Sequence, residues 1–276
     1  MNNIPKISII TVSYNAADTI EQTISSVVNQ TYENIEYIII DGGSTDGTVD
    51  IIRKYEDRIV YWVSEPDKGI YDAMNKGIDI ASGDYIYFLG ADDAILDVNT
   101  FSGIVNDISS SYADFYSYGV YVVNNKCKQK YYGNLHARGK MDVVDMVPHQ
   151  GIIIKTQIMK KYRFDTKYKI AADYKLFLQC YSNKNYTKVY QDKPVAFFAY
   201  DGISSNSINL IQSEHEQICN ELGFRYSRDY ADGTKFFLKK ILGWLKLLTI
   251  IRYARKRIGW KKHMCSNGIC RWCGRG

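Results

Sequence analysis

Short runs of bulky β-formers alternate, over the first hundred residues, with stretches whose apolar positions recur at helical spacing, and turn residues separate them. That alternation predicts an α/β fold with a mostly parallel, Rossmann-like sheet wound with crossover helices. Residues 7–12 read as the first strand, with Ser13-Tyr14-Asn15 as its exit. Ile20, Ile24, Val27 and Val28 then mark a helix that Asp18 is placed to cap. Residues 35–40 form a second strand ending at Asp41. The turn-rich loop Gly42-Gly43-Ser44-Thr45-Asp46-Gly47 leads from it into a helix over 48–55, with Asp46 as its cap. Residues 59–63 give a third strand, and 70–81 a helix closed by Gly83.

The run Asp84-Tyr85-Ile86-Tyr87-Phe88-Leu89-Gly90-Ala91-Asp92-Asp93 organises the chain. Its bulky residues suit a central strand covered on both faces, and it ends in a small-residue turn with two adjacent carboxylates. A parallel sheet keeps its ligands at the carboxyl ends of its strands, so the pair belongs in a ligand crevice. Adjacent carboxylates repel unless a cation screens them, and hard ions such as Mn²⁺ or Mg²⁺ take oxygen ligands together with substrate phosphates. The alternative is that Asp92 or Asp93 caps the next helix.

Beyond residue 97 the pattern is less regular. It predicts strands over 115–123, 151–155 and 193–200, a helix over 172–181, and a small, polar lid loop over 201–207. Neither GxGxxG nor GxxxxGK[ST] occurs, which argues against a dinucleotide site and a P-loop.

Charge changes the picture at the end of the chain. The net charge of +5 divides into −7 for residues 1–233 and +12 for residues 234–276, which contain no acid. A nucleic-acid-binding body would carry the opposite sign. In residues 234–262, Lys239, Gly243, Lys246, Thr249, Arg252 and Lys256 follow one another at steps of three or four, so a helix gathers them into one stripe beside an apolar face. A span would need about 20 mainly apolar residues; here Lys246 interrupts an apolar core of 11. The stretch is therefore expected to lie on an anionic membrane surface, the alternative being a core or dimer helix. Met1 to Pro5 carries no signal-peptide pattern, so the expected location is cytoplasmic, peripheral on the inner face of the cell membrane. Cys127, Cys180 and Cys219 read as free thiols. Residues 263–276, with His263, Cys265, Cys270 and Cys273, are expected to be a disordered end, the alternative being a zinc site.

Thr11-Val12-Ser13-Tyr14-Asn15, Asp41-Gly42-Gly43-Ser44-Thr45-Asp46-Gly47, Asp67-Lys68-Gly69, Asn75-Lys76-Gly77, Ala81-Ser82-Gly83-Asp84-Tyr85-Ile86 and Ala91-Asp92-Asp93 together resemble family 2 glycosyltransferases of the GT-A fold. The resemblance is strong over residues 5–100, fair to about residue 210, and absent from the C-terminal tail. It implies an inverting enzyme that moves a sugar from a nucleoside-diphosphate sugar, UDP-linked by expectation, to an acceptor hydroxyl of a cell-surface polysaccharide or lipid-linked glycan. On this resemblance Thr11, Val12, Tyr14, Asn15, Asp41, Lys68 and Asp92 bind the donor, and Asp92 and Asp93 hold Mn²⁺ or Mg²⁺. Asp173, in Ala172-Asp173, is the catalytic base; His149 and Gln150 line the acceptor side, and Gly202 and Ser204 form the lid. Residues 1–100 would be the nucleotide-sugar half and 101–233 the acceptor half. Three positions depart from the family pattern: Gly90 where many members have the first Asp, Met74 where many have Arg, and Ala172 where many have Glu. Lys68 or Lys76 would replace the lost positive charge.

Two other classes compete. A nucleotidyltransferase would want a glycine-rich, basic first loop, and Thr11 to Ala17 contains neither Gly nor Lys/Arg. A non-catalytic membrane-bound nucleotide-sugar binder would leave Asp92, Asp93 and Asp173 without a purpose.

Overall fold

The computed structural model describes residues 4–123, 128–132, 148–199, 208–224 and 261–262. The first half is wound as the alternation predicts: β1 (Ile7–Ser13), α1 (Ile20–Val28), β2 (Ile35–Asp41), α2 (Thr48–Arg53), β3 (Tyr61–Ser64), α3 (Ile70–Ile80) and β4 (Tyr85–Gly90). Strands β3, β2, β1 and β4 lie side by side in that order and are parallel. The second half adds β5 (Ala94–Ile95), α4 (Thr100–Ser111), β6 (Phe115–Val123), β7 (Lys128–Tyr132), β8 (Ile152–Lys155), α5 (Thr156–Tyr162), α6 (Ala172–Ser182), β9 (Lys188–Ala199), α7 (Ile208–Leu222) and β10 (Lys261–Lys262). Here the sheet turns mixed: β8 runs antiparallel to both β4 and β6, whereas β9 runs parallel to β6.

Alternating side chains of each strand feed two cores. Ile10 and Val12 of β1, Ile38 and Ile40 of β2, and Ile86 and Phe88 of β4 pack beneath α3, α5, α6 and α7. Ile7 and Ile9, Tyr37 and Ile39, and Tyr85, Tyr87 and Leu89 pack beneath α1, α2 and α4. Tyr85 to Leu89 are all buried, as a central strand covered on both faces requires. On the first face α3 comes very close: a β-carbon on Gly77 would stand 2.5 Å from Ile10 Cγ2, so glycine is what lets the helix reach the sheet.

Several local expectations are corrected. Asp18 does not cap α1; the cap position is Thr19, whose hydroxyl donates to the Ala16 carbonyl (3.3 Å) instead of accepting from the helix, and that carbonyl also receives the first N–H groups. Asp46 stands one residue before the cap position of α2, Gly47, yet its carboxylate accepts both the N–H (3.0 Å) and the hydroxyl (2.6 Å) of Thr48. The strand expected from residue 193 begins at Lys188. Cys180 and Cys219 are free and buried, as expected. Cys127, the lid loop, the Cys-containing tail and the basic stretch up to residue 260 lie outside the described residues. The end of that stretch, Lys261–Lys262, pairs as a strand with Lys128 and Gln129 rather than continuing a helix. Among the described residues no helix is long and apolar enough to cross a membrane.

Candidate active site

The order β3-β2-β1-β4 puts the carboxyl ends of β1, β2 and β4 along one edge, where an open α/β sheet binds ligands. In register, Ser13 faces Asp41, and Val12 faces Gly90. Asp41 is fully buried there, and five donors converge on it. Ser13 Oγ (2.8 Å) and Ser44 Oγ (2.6 Å) donate to Oδ1; Gly43 N (3.1 Å), Ser44 N (2.8 Å) and Ser64 Oγ (2.7 Å) donate to Oδ2. Burial works against its charge, but these bonds prevail and hold its pKa below the ordinary carboxylate value. The carboxylate thus ties together three strand ends and the loop after β2.

Around that hub lies a platform. Tyr14 is 67% exposed, and a β-carbon on Gly42 would stand 3.3 Å from its ring and 2.5 Å from Asp67 Oδ2. Tyr14, the Gly42 backbone and the Asp67 carboxylate therefore meet, offering a flat aromatic surface beside an acceptor group. Asn15, with φ 48°, braces the platform by accepting the N–H of Thr45 (3.0 Å) and donating its own N–H to Ser44 Oγ (2.7 Å). Of the other residues expected to bind donor, Thr11 and Val12 lie inside the sheet, Thr11 accepting the Tyr37 hydroxyl at 3.2 Å. Lys68 is exposed at the rim of the cleft described below, whereas Lys76 is engaged by Glu65 at 2.7 Å.

The two acids after β4 are not equivalent. Asp93 is 1% exposed, and its carboxylate is held by Gln150 Nε2 (2.5 Å), Ala199 N (2.9 Å) and Gly90 N (3.2 Å). Its pKa is raised, by burial first and then by the charge of Asp92, so the pair would gain from a cation. Asp92 is partly exposed. A β-carbon on Gly90 would meet Asp93 Oδ2 at 2.6 Å and Asp92 Oδ1 at 2.9 Å, so both carboxylates converge on the space above that glycine. An aspartate at position 90 would not fit this arrangement. Among the described residues no group of three or more His, Cys, Asp or Glu side chains could hold a metal. The donor set therefore fits a hard cation that shares its coordination with phosphate and water, not one in an all-protein cage.

Asp173 stands in the first turn of α6. Its Oδ1 accepts the Tyr71 hydroxyl (3.0 Å) and the N–H of Tyr174 (2.9 Å), and its Oδ2 lies 3.3 Å from His149 Nδ1. Burial opposes its charge, but His149, Tyr71 and the Tyr174 N–H together lower its pKa. The start of α6 is fixed from behind by α7: the buried Glu214 carboxylate accepts the N–H groups of Lys169 (2.8 Å), Ile170 (3.0 Å) and Ala171 (2.9 Å). His215 stacks on Tyr174 with ring centroids 3.9 Å apart.

His149 and Gln150 occupy one short helical turn before β8 and bridge the two acidic centres, His149 to Asp173 and Gln150 to Asp93. Beside them opens a cleft of about 670 Å³, lined by Asp173, His149 and Gln150, by Lys68 to Asp72 on the platform side, and by apolar side chains including Met74, Ile170 and Phe198. That volume suits a small-molecule substrate. Tyr71, Asp67 and Glu214 join the site beyond the residues that the motifs mark: Asp67 lies inside Asp67-Lys68-Gly69, nothing in the spacing marks Tyr71, and Glu214 belongs to a helix that the hydrophobic pattern does not predict.

An aromatic platform and a carboxylate pair at the strand ends of a parallel sheet, with a partly exposed acid at a helix start across one cleft, fit the GT-A fold. The glycosyl transferase family 2 profile matches residues 8–177, and the chain belongs to that family. Among its relatives is a PGL/p-HBAD biosynthesis glycosyltransferase of Mycobacterium tuberculosis, 25% identical over 94% of this chain and 98% of the relative. Another is a putative teichuronic acid biosynthesis glycosyltransferase of Bacillus subtilis, 46% identical over 32% of this chain and 36% of the relative. Among solved structures, S. aureus TarS residues 1–349 in complex with UDP-GlcNAc superposes with a TM-score of 0.64, 21% identity, covering 82% of this chain and 69% of that one. A mannosyltransferase of Pyrobaculum calidifontis in complex with GDP-Man and Mn²⁺ gives 0.61 at 14% identity, covering 82% and 66%. Both show the same fold.

Proposed function

We propose that this glycosyltransferase uses a nucleoside-diphosphate sugar, UDP-linked, and transfers the sugar with inversion to a hydroxyl of a cell-surface polysaccharide or lipid-linked glycan. The observation that carries this reading is the turn at His149 and Gln150, which ties the carboxylate pair to Asp173 across one cleft. Relatives named for PGL/p-HBAD biosynthesis and teichuronic acid biosynthesis support the acceptor class.

The planar base of the donor rests on the platform of Tyr14, Gly42 and Asp67, with Asn15 and Asp41 as its buttress and Thr11 and Val12 beneath. Asp92 is the ligand for Mn²⁺ or Mg²⁺; Asp93, locked by Gln150 and Ala199, fixes the turn and supplies negative charge behind it. When bound, the ion neutralises the departing diphosphate. Lys68 lies on the rim to meet the same charge. On the other side Asp173 accepts the proton of the acceptor hydroxyl. The acceptor oxygen then bonds to the anomeric carbon, and the carbon–oxygen bond to the diphosphate breaks with its electron pair. Gly202 and Ser204 are assigned to the lid, residues 1–100 and 101–233 to the donor and acceptor halves, and residues 234–262 to docking on an anionic membrane at the cytoplasmic face.

Thermal-shift measurements with UDP, GDP, dTDP and their sugars test the donor assignment, because a ligand that binds only the folded state stabilises it by mass action. UDP-sugars are expected to raise Tm more with Mn²⁺ than with chelator, and Asp92→Asn should lose that metal-dependent increment. Equal shifts with and without metal, or no shift with any nucleotide, would refute it.

A further inference from the structure

Proposed as the base, Asp173 spends both of its oxygens on neighbours, and the partner on Oδ2 is itself titratable. His149 faces Asp173 through Nδ1 at 3.3 Å, while its Nε2 is buried and meets no hydrogen-bond partner among the described residues. Since an ionised carboxylate only accepts hydrogen bonds, the proton of neutral His149 belongs on Nδ1, leaving a lone pair on Nε2. The burial of Nε2 keeps that atom from serving as the base, whereas Asp173 lines the cleft.

We infer that His149 is a positioning residue for the Asp173 base, holding the carboxylate through Nδ1–H in its neutral form and disabling it when protonated. The inference rests on the reading of Asp173 as the base. Tyr71 completes the cradle from α3, donating to Oδ1 from a buried position where proximity to Asp173 adds to burial in keeping its own proton in place. With His149 neutral, Asp173 takes the acceptor proton as the new glycosidic bond forms and the diphosphate leaves. With His149 protonated, the adjacent positive charge lowers the proton affinity of Asp173, and the second N–H sits buried without an acceptor.

The groups facing this ring decide where the switch falls. Asp173 of α6 faces it directly, with Asp93 and Asp92 after β4 behind; His215 of α7, Lys68 and Lys169 line the same cleft. Burial disfavours the imidazolium, but the bond and charge of Asp173 and then the charges of Asp93 and Asp92 outweigh it, so the pKa lies above the ordinary value. Turnover is therefore expected to fall as pH drops through a value above about 6.5.

Two measurements on the full chain test the pairing. In ring-¹⁵N-labelled protein, neutral His149, assigned by its loss in His149→Asn, should show the Nδ1–H tautomer, and its pKa should fall in Asp173→Asn. An Nε2–H tautomer, or a pKa indifferent to Asp173→Asn, overturns the inference. In turnover of the stabilising nucleotide sugar with water as acceptor, His149→Asn keeps a donor where Nδ1 stood, whereas His149→Gln places its amide where Nε2 stood. The Asn variant should lose less than about tenfold in kcat and lose the acid limb, while the Gln and Leu variants drop about 100-fold with KM for donor unchanged. Rescue by Gln instead of Asn, an acid limb surviving in the Asn variant, or equal losses in all three with lowered Tm overturn it. A wild-type chain that turns over no nucleotide sugar refutes the enzymatic reading, while the tautomer and pKa still decide the pairing.

Discussion

Asp173→Asn is expected to lower kcat by roughly 10²- to 10⁴-fold, the range a positioned general base contributes, while leaving donor affinity close to wild type. The substitution is nearly isosteric and keeps an oxygen to accept from Tyr71 and the Tyr174 N–H, so α6 should hold its place. What it removes is the charge and the proton-accepting oxygen. Steady-state kinetics beside nucleotide thermal shifts separate the two effects: a fall in kcat alone marks a base, whereas parallel loss of turnover, affinity and Tm marks a residue that only supports the fold.

Asp41→Ala should instead fail at the level of stability, by at least about 3 kcal/mol in chemical denaturation, because hydrogen bonds to a buried charged acceptor are worth more than neutral ones and five donors would lose theirs together. Donor binding should disappear with it, since the platform loop hangs on this carboxylate. The pH dependence has a definite sign. The folded-state pKa is depressed, so the contribution is fully present above the unfolded value of about 3.9 and is lost as pH falls through the folded value. A denaturation midpoint in the alanine variant equal to wild type at pH 7 would show that the loop does not depend on Asp41.

The first hundred residues were legible because each element carried its own signal. Residues 85–89 are an uninterrupted apolar run, and residues 7–12 and 35–40 are runs of β-formers broken only by Ser8, Thr11 and Glu36; runs of this kind mark strands buried on both faces. Carboxylates at the ends of β2 and β4 followed from the same logic, since strand ends are where a parallel sheet delivers polar groups. What sequence did not show is how differently those carboxylates are used. Asp41 and Asp93 are consumed by bonds from residues far along the chain, Ser64 and Ala199 among them, and a linear pattern carries no trace of such partners.

The residues beyond 100 were harder for a physical reason. Its strands are short or bulged, as where β6 shifts register against β9 between Ser117 and Val120, and α5 spans seven residues. Helix α7 escapes the pattern because its buried face includes Glu214, which a hydrophobic pattern counts as surface. That carboxylate is buried only because three backbone N–H groups receive it. Tyr71 was hidden for the opposite reason: an aromatic at helical spacing reads as core, and its ring does pack there, against Phe164, while its hydroxyl reaches Asp173.

Direct displacement at the anomeric carbon by an oxygen nucleophile activated on the Asp173 side would fix the configuration of the product. Real-time proton NMR of the stabilising α-linked UDP-sugar, incubated with the full chain, Mn²⁺ and water as acceptor, reads the outcome before mutarotation mixes the anomers. Inversion requires that the first free sugar released be the β anomer; release of the α anomer would contradict direct displacement.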